Sequence, residues 1–438
     1  MEDLNLIKYF KAIDQSRLYL ESGKVTRVQG VLVRGYVLGA TIGSVCSIRT
    51  SQGSPPCLAE VVGFEDRHVL MMPLGEMRGV GLGAKITLLG SKATVKVGPQ
   101  LLGRVINGLG EPIDYKGDIG LAEEFPLYAE IENPLNRIPI REPLAMGVRA
   151  IDGLITVGRG QRLSITAGSG VGKSVLMGMI AKNSTSDVNV IALIGERGRE
   201  VREFIEHTLG DEGLKKSIVV AVTSDQSPLL RMRGAFLATS IAEYFSAQGK
   251  QVLLMMDSVT RFAMAQREIG LSIGEPPTTK GYTPSVFSLL PKLLERAGNF
   301  ETGGSITGLY TVLVEADDPD DPIGDSVRSI ADGHIVLSRK LAQMNHYPAI
   351  DILSSLSRVM PNIVSKGHRA SAAKLRELMA SYNEAEDLIN IGAYKSGANP
   401  KVDLAIRFRD PIATFLKQGQ DETTDFATTQ EILSHVGA

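Results

Sequence analysis

Residues 167–174 read AGSGVGKS, between the apolar run LSIT (163–166) and the helix-like stretch VLMGMIAKN (175–183). A strand, a glycine-rich turn and a helix in this order are typical of a nucleotide phosphate loop, whose pattern is Gly-x4-Gly-Lys-Ser/Thr. Ala167 replaces the first glycine, and a small residue can serve there because backbone N–H groups bind the phosphate. The helix N-terminus adds its own attraction for anions. We predict that phosphate contacts Gly168, Ser169, Gly170, Val171, Gly172, Lys173 and Ser174.

The side chains at this turn and at a second strand end predict a bound metal. Lys173 can place its charge on the β- and γ-phosphates, and Ser174 can offer its hydroxyl to Mg²⁺. Asp257 ends the apolar run QVLLMMD (251–257), and ligands of parallel sheets bind at the carboxyl ends of strands. We therefore predict that Ser174 and Asp257 hold Mg²⁺. The alternative for Asp257 is to cap the helix that follows it.

A third carboxylate, Glu196, follows the apolar run VNVIALIG (188–195). At a strand end, such a group can orient and polarise the water that attacks a phosphoryl group. The segment GERGRE (195–200) is rich in arginine, so a solvated salt bridge is the alternative role. Considered together with the other two strand ends, Glu196 is predicted to be the catalytic base.

The hydrophobic pattern divides the chain into four zones. Residues 1–20 predict an imperfect amphipathic helix that either packs on its own domain or docks a partner, and residues 1–24 form the predicted docking segment. Over 25–92, short β-rich runs split by Gly, Pro and Ser predict a small antiparallel barrel. Over 93–364, apolar runs alternate with helix-like segments, which indicates an α/β core with a parallel sheet covered on both faces. Residues 365–438 predict a helical domain.

Composition narrows the classes of function. The 438 residues carry 47 Lys and Arg against 49 Asp and Glu, so there is no overall positive charge for nucleic acid. The barrel zone offers only Tyr36 and Phe64 for base stacking, and Cys46 and Cys57 fit no zinc pattern. The acidic N-terminus has no signal-peptide layout, and no apolar run approaches the ~20 residues that span a bilayer. These features predict a cytoplasmic protein that binds no nucleic acid.

Several longer stretches resemble a known family. PAIDILSSLS (348–357) matches the signature of rotary-ATPase α/β-type subunits, and GERGRE resembles their catalytic-subunit motif. Other stretches are more similar to the ATPases of flagellar and type III protein export: TSDQSPLLRMRGAF (223–236), GEPPTTKGYTPSVFSLLPKLLERAG (274–298) and HYPAIDILSSLSRVM (346–360). The resemblance spans residues from about 25 to 410.

This resemblance implies an architecture that residue spacing does not give. It is a β-barrel, a RecA-like P-loop core and a C-terminal helical domain, assembled as a ring of six. Arg358 would be the arginine finger that reaches the γ-phosphate bound by the next subunit, and Tyr347 would pack against adenine. The alternatives are a surface salt bridge for Arg358 and a core ring for Tyr347. Because one chain holds both Glu196 and Arg358, a homo-hexamer with every interface active is permitted.

The resemblance also implies a function and partners. The function is Mg²⁺-dependent ATP hydrolysis that energises export through the flagellar type III apparatus, with Glu196 assisting water attack and Arg358 supplied in trans. A stator-like regulator would dock at residues 1–24, and a coiled-coil stalk would enter the pore near 273–284. The export gate and chaperone–substrate complexes complete the implied partners. The protein would be cytoplasmic, and peripheral at the inner membrane.

Four alternative functions remain. The export could be that of a virulence injectisome, and the chain could instead be the catalytic subunit of a rotary synthase. A Rho-type RNA translocase shares the core fold, but it predicts more aromatic residues in the barrel. A non-catalytic nucleotide-binding subunit would lack a carboxylate such as Glu196.

Overall fold

The computed structural model describes residues 21–50, 55–90, 93–301, 303–314, 318 and 320–436. The chain forms two compact units, one of residues 1–94 with 272–274 and one of 95–271 with 275–438. Most of the predicted docking segment, residues 1–20, lies outside the described residues. Its last residues belong to the first strand, which begins at Ser22. The predicted domain boundaries stay predictions.

The first unit contains a closed six-stranded barrel, as predicted. Its strands are β1 Ser22–Gln29, β2 Leu32–Tyr36, β3 Val45–Ile48, β4 Cys57–Glu65, β5 His68–Pro73 and β6 Lys85–Gly90. They pair antiparallel in the order β1-β2-β5-β4-β3-β6, and β6 returns to β1. Strand side chains alternate between two faces, so Val33, Ile48, Met71 and Ile86 fill the interior at 0% exposure.

The second unit contains a nine-stranded sheet. Its strands are β8 Val105–Ile106, β10 Arg162–Ala167, β11 Val188–Glu196, β12 Ser217–Thr223, β13 Gln251–Asp257, β14 Gly298–Asn299, β15 Ser305–Leu313, β16 Gly333–Leu337 and β17 Ile350–Ser357. Two further strands, β7 Thr94–Val97 and β9 Glu123–Pro126, pair with each other.

Strand direction decides which residues meet. The order is β17-β16-β10-β15-β13-β11-β12-β8, and β14 pairs with β15. All pairings are parallel except those of β14 and β17, which are antiparallel. The carboxyl ends of β10, β11 and β13 therefore share one edge, whereas β17 starts at that edge and ends at the opposite one. The sequence predicted the parallel sheet but not the reversed strand.

Helices connect the strands and form the C-terminal region. They are α1 Arg149–Leu154, α2 Lys173–Asn183, α3 Gly198–Glu203, α4 Gly210–Lys215, α5 Pro228–Ala247, α6 Val259–Ser272, α7 Pro284–Leu294, α8 Pro322–Ile330, α9 Arg339–Gln343, α10 Met360–Ile363, α11 Lys366–Asn390, α12 Pro400–Leu416 and α13 Phe426–Val436. A π-helical turn, Phe204–Leu209, joins α3 to α4. None of the helices described is long and apolar enough to cross a membrane.

Burial and capping explain the regular elements. Strand β11 is buried from Val188 to Gly195, which matches the near-continuous apolar run expected of a central parallel strand. The side chains of Ser227, Asp321 and Ser365 accept backbone N–H groups in the first turns of α5, α8 and α11. Such caps satisfy N–H groups that have no partner within the helix. The sheet is thereby held between well-defined helices, and its edge can carry a site.

Candidate active site

The phosphate-binding turn directly follows β10. Ala167 is the last strand residue, it is buried, and its backbone does not require a glycine. Gly170 and Gly172 have φ of 77° and 90°, a region that favours glycine, and α2 begins at Lys173. Val171 is 2% exposed and packs into the core, so it can offer the phosphate only its backbone N–H. The missing first glycine thus leaves the shape of the turn unaffected.

Tyr347 lies against this turn. A methyl group added at Gly172 would be 3.4 Å from Tyr347 Cε1, which is ordinary contact. The sheet explains the proximity, because Ile350 at the start of β17 pairs with Leu337, and Leu337 pairs with Ala167. The ring is 42% exposed, so it presents a free face beside the phosphate loop.

Three charged side chains meet beyond the strand ends. Lys173 Nζ donates to Asp257 Oδ1 and lies 3.6 Å from Glu196 Oε1. The two strands that end at the carboxylates are neighbours, since β11 pairs with β13 and Leu193 lies opposite Asp257. Strand β10, which leads to Lys173, is separated from β13 by β15. The side chains of all three are at most 15% exposed. The structure therefore brings together the lysine and both carboxylates selected from the sequence.

Glu196 is the group of this cluster whose protonation the site perturbs. Burial, and then the charge of Asp257, raise the pKa of Glu196 to about 7, against the opposing effect of Lys173. Its Oε1 is buried and accepts no hydrogen bond within the described part of the chain. Buried polar atoms usually have a partner, and those without one are often functional. A carboxylate with a pKa near neutral and an oxygen that accepts no hydrogen bond suits a general base.

The residues present fit a nucleoside triphosphate with Mg²⁺. Ser174 is exposed on the first turn of α2, and Asp257 is 3% exposed at the end of β13. Hydroxyl and carboxylate oxygens are the ligands that Mg²⁺ prefers. A Cβ added at Gly170 meets no atom within 4 Å, so the turn opens into free space. That space is a cavity of about 1350 Å³ lined by the turn, Lys173 and Glu196, which is ample for a nucleotide.

Arg358 does not join this cluster. It follows β17, whose last residue, Ser357, pairs with Gly333 at the start of β16. Asp332 in turn donates its N–H to Arg162 O at 2.8 Å, at the amino end of β10. A strand of this length spans roughly 20 Å, more than an arginine side chain can reach. Within one chain, the predicted finger and the phosphate loop are thus at opposite ends of β10.

Sequence reasoning missed residues that support or line the site. Thr311 Oγ1 on β15 donates to Asp257 Oδ1 at 2.8 Å, and nothing in the local sequence indicates this contact. Arg261 packs on Gly195. The sequence could have indicated this residue, because Thr260 and Arg261 are polar and follow soon after Asp257 in DSVTRFA (257–263). Further charged or aromatic residues line the same cavity: Arg197, Glu200, Arg261, Arg267, Lys280, Tyr282 and Arg339.

Fold and site together define a P-loop nucleotide-binding protein with a hydrolase-type arrangement at the carboxyl ends of parallel strands. The family model described as "ATP synthase alpha/beta family, nucleotide-binding domain" matches residues 147–357. A second model, "T3SS EscN ATPase C-terminal domain", matches residues 364–435.

Full-length relatives agree with the two models. The chain is 54% identical over 414 residues to a Flagellum-specific ATP synthase of Bacillus subtilis, covering 94% of each chain. It is 51% identical to a Type 3 secretion system ATPase of Xanthomonas euvesicatoria, covering 94% of this chain and 93% of the relative. The chain therefore belongs to the ATP synthase α/β family, in the group of flagellar and type 3 secretion ATPases, and it is an ATPase.

A solved assembly has the same fold. It is the assembled ATPase EscN in complex with its central stalk EscO, from the type III secretion system of enteropathogenic E. coli. The TM-score is 0.88 at 47% identity, over 95% of this chain and 100% of that chain. The predicted architecture of barrel, P-loop core and C-terminal helices is thereby confirmed.

Proposed function

We propose that the chain hydrolyses MgATP to energise protein export through a flagellar type III apparatus. The observation that carries the proposal is the meeting of Lys173, Glu196 and Asp257 beyond the carboxyl ends of β10, β11 and β13. The similarity to a flagellum-specific ATP synthase at 54% identity supports the flagellar system. A virulence secretion system is the second candidate, supported by the relative at 51% identity.

Binding and orientation of ATP come from the turn and from Tyr347. The N–H groups of Gly168–Gly172 and the start of α2 surround the phosphates, and Lys173 adds a mobile positive charge. Lys173 Nζ donates to Asp257, so phosphate would compete with this carboxylate for the charge. Adenine would stack on the exposed face of Tyr347, which fixes the base relative to the phosphates.

Ser174 and Asp257 would hold Mg²⁺, which when bound neutralises phosphate charge. Thr311 orients Asp257 for this role through the hydroxyl that it donates to Oδ1. Glu196 would hold the attacking water with Oε1, which accepts no hydrogen bond from the described residues. It would accept a proton from the water as the water oxygen bonds to the γ-phosphorus, while the bond from that phosphorus to the bridging oxygen breaks and ADP leaves. Its raised pKa makes that carboxylate a better proton acceptor near neutral pH than a solvated one.

Arg358 completes the site of a second copy of the chain. It is exposed at the end of β10 remote from its own phosphate loop, so the γ-phosphate within its reach belongs to a neighbour. There it would stabilise charge that spreads over the transferring oxygens. A head-to-tail contact of this kind closes into a ring, and we propose a homo-hexamer on the precedent of the assembled relative.

The remaining partners are proposed from the relatives. EscN is assembled with a central stalk, EscO, which supports a coiled-coil stalk in the pore of this ring. Residues 1–24 would dock a stator-like regulator, while the export gate and chaperone–substrate complexes would meet the ring in the cytoplasm, at the inner face of the membrane. Deletion of the gene, scored for motility and for effector secretion, separates the two systems. Loss of effector secretion with motility retained would reverse the flagellar assignment.

The dependence of specific activity on protein concentration tests the shared site. Because half of each site comes from a neighbour, phosphate release per chain should rise with concentration and then level off as the ring forms. Molar mass measured at the same concentrations should rise over the same range. A specific activity that stays constant while the chain remains monomeric would refute the shared site.

A further inference from the structure

One buried side chain, that of Gln161, lies beside the backbone of Arg358. This residue is 0% exposed and directly precedes β10. Its Nε2 donates to Ser357 Oγ at 3.1 Å and to Asp332 O at 3.2 Å. Asp332 O also accepts the N–H of Arg358 itself, at 2.9 Å. Gln161 thus contacts the residue before Arg358 and the carbonyl that fixes the Arg358 backbone.

The hydrogen-bond network leaves a single orientation for this amide. Gln161 Oε1 accepts the N–H of Gly158 at 2.9 Å, so the NH₂ group must face Ser357 and Asp332. Ser357 Oγ donates its proton to Thr156 O at 2.8 Å, which leaves the hydroxyl oxygen to accept from Gln161. Every group in the network is satisfied, which makes the arrangement rigid.

Asp332 is fixed from the other side by Arg162. The carboxylate accepts the backbone N–H of Arg162 at 3.1 Å and two guanidinium N–H groups at 3.3 Å. Arg162 is held in turn by Glu295. The Arg358 side chain, by contrast, makes one long hydrogen bond, from NH1 to Ala331 O at 3.3 Å, and is exposed. Its base is therefore fixed while its guanidinium stays available.

We propose that Gln161 is a positioning residue for the arginine that each subunit supplies to its neighbour, an inference that rests on the proposed in-trans role of Arg358. Strand β10 carries the phosphate loop at one end and this amide at the other. A shift of β10 on nucleotide binding would thus be passed to Arg358 and to the next site around the ring. Stabilisation of a transition state depends on such placement, and an error of about 1 Å can lower rates on the order of 10²-fold.

We call the contacts of Gln161 with Ser357 and Asp332 the clamp. The test uses two variants that alter the clamp and leave the charged side chains unchanged. Gln161→Met keeps the volume and removes both donors, and Ser357→Ala removes the acceptor with little change in volume. We expect kcat to fall roughly 10- to 100-fold in Gln161→Met and roughly 3- to 10-fold in Ser357→Ala, because Arg358 is no longer held in position for the phosphate of the neighbour. KM for ATP should change less than about 2-fold, because each variant retains its own phosphate loop. A KM that rises while kcat is kept would overturn the proposal.

Mixing two impaired variants separates positioning from general damage. Gln161→Met has an intact nucleotide pocket and a displaced finger, whereas Lys173→Ala has the reverse. An equimolar mixture should regain activity at about a quarter of the interfaces, where an intact pocket faces an intact finger. Arg358→Ala mixed with Lys173→Ala should recover to the same level. If neither mixture recovers activity, the in-trans function of Arg358 is refuted. If the mixture with Arg358→Ala recovers and the mixture with Gln161→Met does not, the role of Gln161 is refuted.

Thr307→Val provides the matched control. Thr307 is buried on β15 and its Oγ1 accepts the N–H of Gly160 at 2.9 Å, next to the clamp but without contact to Ser357 or Asp332. Its kcat should stay within about 2-fold of wild type, since the finger is not displaced. A fall as large as that of Gln161→Met would show that any buried change at this edge has the same effect, and would overturn the proposal.

Discussion

The two ends of strand β10 are organised in opposite ways. At the carboxyl end, the charged side chains of Lys173, Glu196 and Asp257 are buried and face one another. At the amino end, neutral and charged groups hold the backbone around Arg358, and the guanidinium itself is exposed. In the proposed function, the first end would bind and activate ATP within the chain, whereas the second presents a charge outward.

This difference teaches how one chain can carry two halves of different sites. At the carboxyl end, Lys173 is bonded to Asp257 of the same chain, so the groups proposed to bind phosphate all come from one chain. Arg358 forms no ion pair with a carboxylate among the described residues, so its guanidinium is available to a phosphate of the neighbour. The reversed direction of β17 makes this separation, because it takes the chain from Tyr347 beside the loop to Arg358 at the far edge.

The largest expected effect is at the carboxyl end. Lys173→Ala should abolish measurable ATP binding and turnover, because the turn loses its mobile charge and leaves Asp257 and Glu196 facing the phosphates unopposed. Equilibrium binding of a labelled nucleotide and phosphate release both check this. The control is Lys182→Ala, at the far end of α2, where Nζ lies 3.7 Å from the exposed Asp421. Equal losses in both variants would show that α2 as a whole, and not the Lys173 charge, is needed.

The amino end is tested by Arg358→Ala. The variant should still bind ATP and assemble, but its kcat should fall on the order of 10³-fold, by analogy with arginine fingers in GTPases. Nucleotide binding, molar mass and phosphate release are measured on the same sample. Arg407→Ala, an exposed arginine on α12, should keep wild-type activity. Wild-type turnover of Arg358→Ala would remove the difference between the two strand ends.

The sequence predicted the two ends unequally well. AGSGVGKS, Glu196 and Asp257 could be located because they lie at the ends of recognisable apolar strands, and parallel strands bring such ends together. Thr311 and Gln161 could not, since each acts through a contact with a residue distant in the chain, at Asp257 and Ser357. The local sequence pattern around a residue does not show which distant residue it will contact.

Strand direction was the other limit. The run PAIDILSSLS was recognised as a family signature, yet its alternation of buried and exposed residues also marks an edge strand. Only the antiparallel pairing with β16 explains why Tyr347 and Arg358, eleven positions apart, lie at opposite edges. Their roles were therefore taken from the resemblance, and the geometry now gives them a physical reason.

Glu196→Gln separates chemistry from binding at the carboxyl end. The variant should bind ATP and lose hydrolysis by about 10²- to 10³-fold, because an amide cannot accept the proton. In the wild type, kcat/KM should rise with pH through about 7, since the base is active only when deprotonated and its pKa is raised to about 7. The variant should lack this rise. An active glutamine variant would transfer the role of base to another group.

A smaller effect is expected from Thr311→Val, which removes the hydroxyl that orients Asp257. Loss of one hydrogen bond to a carboxylate is worth about 1–2 kcal/mol, so the Mg²⁺ concentration at half-maximal activity should rise roughly 5- to 30-fold. Thr307→Val on the same strand is the control and should leave the Mg²⁺ dependence unchanged. Unchanged dependence in both variants would show that Asp257 is oriented without Thr311.

The smallest expected effect is a higher unfolding temperature for the variant Glu196→Gln, at the carboxyl end. Folding raises the pKa of Glu196 from 4.5 to about 7, so the folded chain favours the protonated form and ionisation opposes folding. This destabilisation is absent below pH 4.5, grows between pH 4.5 and about 7, and is constant above. Glu196→Gln, which stays neutral, should therefore unfold at a temperature a few degrees higher than wild type at pH 8, with a difference that vanishes towards pH 4.5.

Thermal unfolding of the nucleotide-free protein measures this difference. The control is Glu206→Gln, at an exposed residue of the π-helical turn. A variant less stable than wild type at pH 8 would mean that the carboxylate is held by its neighbours rather than strained by them.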